Sequence, residues 1–102
     1  MPKLYEYFGL VFLIFSNEHS PIHVHARYGK YESVIELIIR DGKLIDVVFR
    51  KLGNKHALPP AQEREAERFV RAKAKDILRK WNDYFVLHKH VAPERITKRI
   101  AR

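Results

Sequence analysis

Cysteine is absent from the 102 residues of this chain. A chain without thiols has no disulfide framework, no thiolate metal site and no cysteine nucleophile. Long apolar runs are absent too, because the longest one, Phe8 to Phe15, falls far short of the roughly 20 residues that cross a bilayer. Glu6 before this run and the polar sequence Ser-Asn-Glu after it do not fit a secretory signal. We therefore expect a cytoplasmic protein with no membrane partner.

Acidic residues are scarce relative to basic ones. The chain has 12 Asp and Glu against 20 Lys and Arg, which gives a formal net charge of +8. Such a surplus favours a polyanionic partner, with nucleic acid first, an acidic protein second and anionic lipid third. At this length we expect one domain that buries about two-thirds of its unfolded surface.

The histidines, in contrast, are concentrated in one segment: His19, His23 and His25 are three of the six in the chain. Pro21 disfavours helix at the residue before it, so the residues that follow should be extended. In a strand over residues 22–28, His23 and His25 share one face, and apolar side chains take the other.

Two flanking segments have the composition of strands. Residues 4–15 are aromatic and β-branched, and are predicted to form a single strand that is covered on both faces. Its aromatic residues could stack on nucleic-acid bases, although packing at an edge strand or in the core is the simpler interpretation. The pair Gly29-Lys30 predicts a two-residue hairpin turn into a strand at 31–39, in which Glu36 lies opposite His23.

The next turn, at Asp41-Gly42, allows two registers. A two-residue loop pairs Leu37 with Asp46, whereas a three-residue loop with Gly42 in the left-handed conformation pairs Leu37 with Ile45. The longer loop segregates apolar from polar side chains better, so we favour it. It also places Glu36 opposite Asp46, and these two carboxylates would repel unless a cation lay between them. The candidates are a protonated histidine, Arg27, Arg50 and a metal ion.

A helix should follow the sheet. Proline at 59 and 60 is compatible with a first turn, and apolar residues then recur at helical spacing as far as Phe85. We therefore predict an α+β fold in which a four-stranded antiparallel meander packs on one long C-terminal α-helix. Residues 1–87 would form the domain, and residues 88–102 a basic tail that frays.

One helix covers only one face of such a sheet. The other face would expose a set of apolar side chains beside the histidines, namely Phe12, Ile14, Val34, Ile38, Leu44 and Val48. A patch of this kind is uncommon on a monomer, so we expect a partner there, either a second copy of the chain or another protein.

Three chemical interpretations of the histidine segment stay open. His23, His25 and Glu36 could bind a divalent metal, with Glu18 or His19 completing the ligand set. The same groups could instead act without metal on RNA, one histidine taking the 2′-hydroxyl proton and another protonating the leaving oxygen. Arg27 or Lys30 would then stabilise the phosphate. In the third interpretation, His23 and Arg27 simply pair with carboxylates and fasten a loop to the sheet.

The segment Phe15-Ser16-Asn17-Glu18-His19-Ser20-Pro21-Ile22-His23-Val24-His25 resembles the signature of the bacterial family called domain of unknown function 4160. Residues 81–85, Trp-Asn-Asp-Tyr-Phe, resemble the end of that family's helix. The resemblance implies a strand-rich domain closed by a helix, often encoded beside a second small protein in pairs of the toxin–antitoxin type. Ile22 replaces a proline that is usual in the family, and the tail after His88 lies outside its pattern.

These arguments lead to two principal function hypotheses, beside a third in which the basic tail attaches the chain to a membrane surface. In the first, the chain is a component of a bacterial toxin–antitoxin-like pair that acts on RNA through Glu18, His19, His23 and His25, with Glu36 orienting a histidine. In the second, it is a non-catalytic module that binds nucleic acid or protein. The residues expected to bind the ligand are Asn17, Arg27, Lys30, Glu36, Arg95, Lys98 and Arg99.

Overall fold

The computed structural model describes residues 2–14 and 22–100, which form a six-stranded mixed sheet with two helices. In chain order the elements are β1 (Lys3–Tyr7), β2 (Leu10–Leu13), β3 (His23–Tyr28), β4 (Tyr31–Arg40), β5 (Lys43–Lys51), α1 (Pro60–Ala72), α2 (Ala74–Phe85) and β6 (Glu94–Ile96). The strands are arranged β5-β4-β3-β2-β1-β6, and only β6 pairs in parallel, with β1. The predicted four-stranded meander on one long helix is therefore wrong in its strand count, its strand directions and its helix.

The first predicted strand is in fact a hairpin. Phe8 and Gly9 form its turn with φ angles of 46° and 87°, and Tyr7 pairs with Leu10. Positive φ at both central residues is characteristic of a type I′ turn, which suits the twist of a two-residue hairpin. A Cβ on Gly9 would lie 2.9 Å from the ring of Tyr28, so glycine is required there by contact as well as by conformation. The turn was missed because the apolar run continues through it.

The central hairpin has the predicted register. His23 lies opposite Glu36 and Arg27 lies opposite Glu32, across the Gly29-Lys30 turn. The alternate side chains of these strands, such as Val24 and Ile35, belong to the hydrophobic core. Because side chains alternate along a strand, His23 and Arg27 are placed on the face opposite to that core.

The β4–β5 hairpin follows neither predicted register over its whole length. Arg40 pairs with Lys43, which makes a two-residue turn, and a bulge then leaves Ile45 as an extra residue on β5. Beyond the bulge Leu37 pairs with Val47, two residues from the predicted Ile45. Beyond the bulge, a shift of two keeps the side chains on their predicted faces, because side chains alternate with a period of two. Between the turn and the bulge the shift is one residue, so Leu44 changes face. The shift of two changes which residues are opposite one another, so Glu36 lies opposite Val48 and not opposite Asp46.

The predicted long helix is interrupted at Lys73, whose φ and ψ of −103° and 14° lie outside the helical range. Neither proline nor glycine occurs between residues 61 and 85. Local sequence therefore does not mark the break, and tertiary packing decides it. In α1, Phe69 stacks on Phe12, with ring centroids 4.7 Å apart, and packs edge-on against Tyr5 at 5.0 Å. These rings form the centre of the core between the helices and the sheet.

The tail was expected to fray, and its described part does not. Residues 94–96 form β6 along the free edge of β1. The Lys80 amine of α2 lies 2.7 Å from the Glu94 carboxylate, and the Ile100 amide donates a hydrogen bond to the Tyr7 hydroxyl at 3.0 Å. Val91 is buried. The tail is thus an integral part of the sheet.

The apolar patch predicted on the second face is smaller than expected. Phe12 and Ile14 are buried, and Leu44 packs against the core. Val34, Ile38 and Val48 are intermediate in exposure. The exposed area on that face is therefore reduced to a few half-buried residues, and a partner there stays a prediction.

Candidate functional site

The two strand histidines lie together on the sheet face away from the helices. Their ring centroids are 5.6 Å apart, which confirms that β3 brings them to one place. The His25 Nδ1 atom is 3.1 Å from a Glu32 carboxylate oxygen, and both side chains are only 1% exposed. His23 is also buried, at 8% exposure. The imidazoles are therefore part of the protein interior.

Two cations offset the buried charge of Glu32. The Arg27 Nε donates to its second oxygen at 3.1 Å, and the Lys55 amine lies 4.0 Å from the same oxygen. The Glu32 backbone amide donates to the His56 carbonyl at 2.8 Å, so the connector after β5 is fixed beside the cluster. A buried carboxylate persists only when it is paired and hydrogen-bonded, and Glu32 meets both conditions. We call His23, His25, Arg27 and Glu32 the histidine–glutamate cluster.

Sequence reasoning paired Glu32 with Arg27 but did not connect it to a histidine. His25 is directly opposite Val34, and Glu32 is two residues from Val34 on the same face. Such a diagonal neighbour is within reach of a long side chain. The signal was therefore present in the correctly predicted register.

Glu36 forms a separate interaction beside the cluster. Its carboxylate accepts hydrogen bonds from Nη2 and Nε of Arg50, at 2.7 and 2.9 Å. The β4–β5 register places Val48, and not Asp46, opposite Glu36, so the predicted repulsion between two carboxylates does not occur. Arg50, one of the cations considered from the sequence, is the partner of Glu36.

The metal interpretation is not supported. Within residues 2–14 and 22–100, no three histidine, aspartate or glutamate side chains converge in a way that could hold a metal ion. In the predicted set of His23, His25 and Glu36, the carboxylate is engaged by Arg50 and His25 faces Glu32.

The other residues predicted for this site are Lys30 and three residues of the preceding loop. Asn17, Glu18 and His19 lie outside the described residues. Lys30 is exposed in the turn at the far end of β3 from His23, with its amine 5.6 Å from the centre of the Tyr31 ring. It cannot stabilise a phosphate that is held at His23.

A second group of candidates meets at the opposite end of the chain. Arg95 and Arg99, which the sequence placed in the tail, lie where the tail passes the β1–β2 turn, and the third candidate, Lys98, directly precedes Arg99 in the chain. Phe8 in this turn is 44% exposed, and the Arg99 guanidinium carbon is 3.9 Å from its ring centroid. A cavity of about 310 Å³ adjoins this ring and is lined by Glu6, Phe8, Gly9, Arg95, Ile96 and Thr97. We call Phe8, Arg95, Lys98 and Arg99 the Phe8 surface.

Acidic residues fix the cations of this surface in position. The Arg95 Nη2 is 3.2 Å from the Glu6 carboxylate, and an Arg99 nitrogen is 3.8 Å from Glu65. A hydrogen bond from Lys3, together with the charge of Arg95, lowers the pKa of Glu6. Glu6 therefore stays charged at neutral pH. Lys98 is exposed.

The tail that carries these cations is held by a polar network around Lys80. The Tyr5 hydroxyl donates to Asp76, and burial is the main cause that raises the pKa of Tyr5. Burial of Asp76 acts to raise its pKa as well, but hydrogen bonds from Tyr5 and Arg79 outweigh this effect and the pKa is lowered. Lys80, only 8% exposed, joins Asp76 to Glu94 of β6. The network thus links β1, α2 and β6.

Sequence reasoning grouped Phe8 with aromatic residues that were expected to be in the core. Tyr5, Tyr7 and Phe12 are in the core, whereas Phe8 is not. The glycine after Phe8 is the signal that could have distinguished it, since glycine marks turns.

Comparison with known proteins gives a family but no activity. Neither helix of the described chain is long and apolar enough to cross a membrane. No curated protein and no solved structure matches the chain significantly. The family model named Domain of unknown function (DUF4160) matches residues 9–82, which is more than half of the chain. The chain therefore belongs to the DUF4160 family.

Proposed function

We propose that this protein binds single-stranded nucleic acid at the Phe8 surface without catalysing a reaction on it. The observation that carries the proposal is the exposed ring of Phe8 beside the guanidinium of Arg99. Proteins that bind single strands combine aromatic rings, on which bases stack, with cations that contact the phosphates. The expected setting, one half of a toxin–antitoxin-like pair, is part of the same proposal.

The backbone at Phe8 adds support. A φ of 46° is unfavourable for a bulky L-residue, whereas asparagine and glycine adopt it readily. Strained residues are concentrated at functional positions, and the inference runs from the observed strain to a function. A large aromatic residue in this turn costs stability, so a role for its exposed ring explains why it is there.

The cations of the surface are arranged to contact a phosphate chain. Arg99 lies against the ring of Phe8, and Arg95 borders the neighbouring cavity with Thr97. Arginine contributes both by cation–π contact and by hydrogen bonds to phosphate. A base that stacks on Phe8 would therefore have its backbone close to Arg95.

The histidine–glutamate cluster favours the non-catalytic alternative. A general base must come within hydrogen-bonding distance of the proton that it removes. His25 is buried against Glu32, and His23 has only 8% of its surface exposed. In this proposal the cluster stabilises the sheet.

Binding to a fluorescein-labelled oligouridine, measured by fluorescence anisotropy over a range of salt concentrations, tests the proposal. Phe8→Asn should weaken binding about tenfold, since stacking contributes about 1–3 kcal/mol per base. Lys98→Gln should weaken it by a few-fold and reduce the salt dependence by about one phosphate contact. Lys89→Gln, a change at an exposed lysine outside the surface, is the matched control.

Two results would overturn the proposal. The first is that Phe8→Asn binds as tightly as the natural chain. The second is that the natural chain cleaves the oligouridine, and that His23→Ala abolishes cleavage while the variant stays folded.

A further inference from the structure

A groove lies between the β4–β5 turn and the junction of α1 with α2. Its volume is about 320 Å³, and its lining includes Lys43, Leu44, Arg71, Lys75 and Leu78. We propose that this groove binds an acidic segment of a partner protein. One apolar side chain of that segment would contact Leu44 and Leu78, and its carboxylates would pair with Lys43 and Lys75.

The charge of the groove comes from its two lysines. Arg71 is engaged by two carboxylates, with its Nε 3.0 Å from Glu67 and its Nη2 3.1 Å from Asp46. Within residues 2–14 and 22–100, no carboxylate lies within 4.0 Å of the Lys43 or Lys75 amine. Two uncompensated cations beside an apolar floor favour an anionic partner.

The floor of the groove distinguishes a protein segment from a nucleic acid. Leu44 comes from β5, Leu78 from α2, and Ala72 and Ala74 from the helix junction. All are aliphatic, so the lining offers no ring on which a base could stack. An aliphatic floor with a few polar groups is the usual form of a site for an apolar side chain. The interruption of the helix at Lys73 lies between Ala72 and Ala74, so the break that the sequence did not mark is part of the groove.

The groove is remote from the Phe8 surface. The strand order places β5 at one edge of the sheet and β1 next to the other edge. Successive strands from β1 to β5 are antiparallel, so the β1–β2 turn and the β4–β5 turn also lie at opposite ends of the strands. A protein partner in the groove would leave the Phe8 surface accessible, and this inference does not depend on the proposed function.

Fluorescence anisotropy with a labelled synthetic peptide tests the inference. The probe is a glutamate-rich peptide with one central leucine. One control peptide has serine in place of the leucine, and a second has glutamine in place of every glutamate. We expect the natural chain to bind the probe and to bind each control peptide at least tenfold more weakly.

Charge reversal at the groove should remove this binding. The double variant Lys43→Glu, Lys75→Glu should bind the probe about tenfold more weakly, since each reversed charge costs about 0.7 kcal/mol. Lys89→Glu is the matched control with the same change of charge at a distant exposed site. If the double variant does not fold, Lys43→Gln with Lys75→Gln replaces it, with an expected loss of about fivefold.

NMR spectra show where the probe binds. If it occupies the groove, the backbone amide resonances of Lys43, Ala72 and Lys75 should shift. The inference is overturned if the probe does not bind, if the serine control binds equally well, or if oligouridine displaces the probe from the groove. Phe8→Asn should leave peptide binding unchanged, so failure here is distinguishable from failure of the nucleic-acid proposal.

Discussion

The histidine–glutamate cluster and the Phe8 surface differ in how well the sequence indicates which side chains are exposed. The cluster comes from a segment with an unusual density of titratable residues, yet His25 and Glu32 are only 1% exposed. The Phe8 surface comes from an apolar run and a tail more than 80 residues away in sequence, yet Phe8 is 44% exposed. Polar residues that are adjacent in a hairpin satisfy one another, whereas an exposed surface can be assembled from distant segments.

The largest expected effect is a loss of protein stability when the cluster is altered. Glu32→Gln should lower the free energy of unfolding by about 3 kcal/mol, because it leaves His25 and Arg27 without the buried carboxylate that pairs them. The control is Glu36→Gln, which loses only an interaction with Arg50, a residue with 61% of its side chain exposed, and which should cost at most about 1 kcal/mol. Urea denaturation measures both. Equal losses in the two variants would show that burial does not distinguish these carboxylates.

The next effect concerns the link between the core and the Phe8 surface. Lys80→Ala should cost about 2 kcal/mol, since it leaves Asp76 and Glu94 facing each other without the cation. Because β6 is released, the amides of residues 94–96 should exchange with solvent faster, and oligouridine affinity should fall with them. Native-state hydrogen exchange measures the first change. Unchanged exchange in β6 would mean that strand pairing alone holds the tail.

The pH dependence of stability should show the same network. Asp76, with a lowered pKa, contributes stability above its ordinary value of 3.8 that is lost as the pH falls through its folded pKa. Tyr5, with a raised pKa, contributes stability below its ordinary value of 10.0 that is lost as the pH rises above it. Stability should therefore be greatest between these two values. Tyr5→Phe should cost about 1 kcal/mol at neutral pH and should reduce the alkaline loss; an unaltered alkaline limb would exclude Tyr5 as its cause.

The smallest effect is at the turn of the Phe8 surface. Phe8→Asn should raise the free energy of unfolding by about 0.5 kcal/mol, because asparagine adopts positive φ with less strain. Asp41, whose φ of 52° places it in an equivalent turn, already has a short polar side chain, so Asp41→Asn should change stability by less than about 0.3 kcal/mol. Thermal denaturation compares the two. A variant at Phe8 that is less stable and still binds oligouridine would indicate that the ring serves packing alone.

The sequence predicted one hairpin register correctly and failed where the turn was concealed by apolar neighbours or where packing decides the pairing. The β3–β4 register follows from a glycine-first turn and from alternation, both of which are local. The bulge at Ile45 and the break at Lys73 carry no marker residue, so packing with the rest of the fold decides them. The β1–β6 pairing joins Tyr5 to Glu94, and no local pattern of residues specifies so distant a contact.

For the candidate site, the sequence predicted which residues share a face of the sheet but not which of them are exposed. Alternation placed His23, His25 and Glu36 on one face correctly, but it gave no information on burial, which depends on what covers that face. The exposure of Phe8 depends on a turn that its apolar neighbours concealed. Arg95 and Arg99 were recognised by charge alone, and their position beside Phe8 required the complete sheet.

The parallel pairing of β6 with β1 has a consequence for how the molecule folds. Since β1 precedes β6 by more than 80 residues in the chain, the β1 edge stays open on the nascent chain until β6 has been made and docks. An open edge is a template for strands of other chains, so this interval is when misassembly is most probable. Arg95 and Arg99 reach Phe8 only when this interval ends, so the Phe8 surface is complete only after β6 has docked.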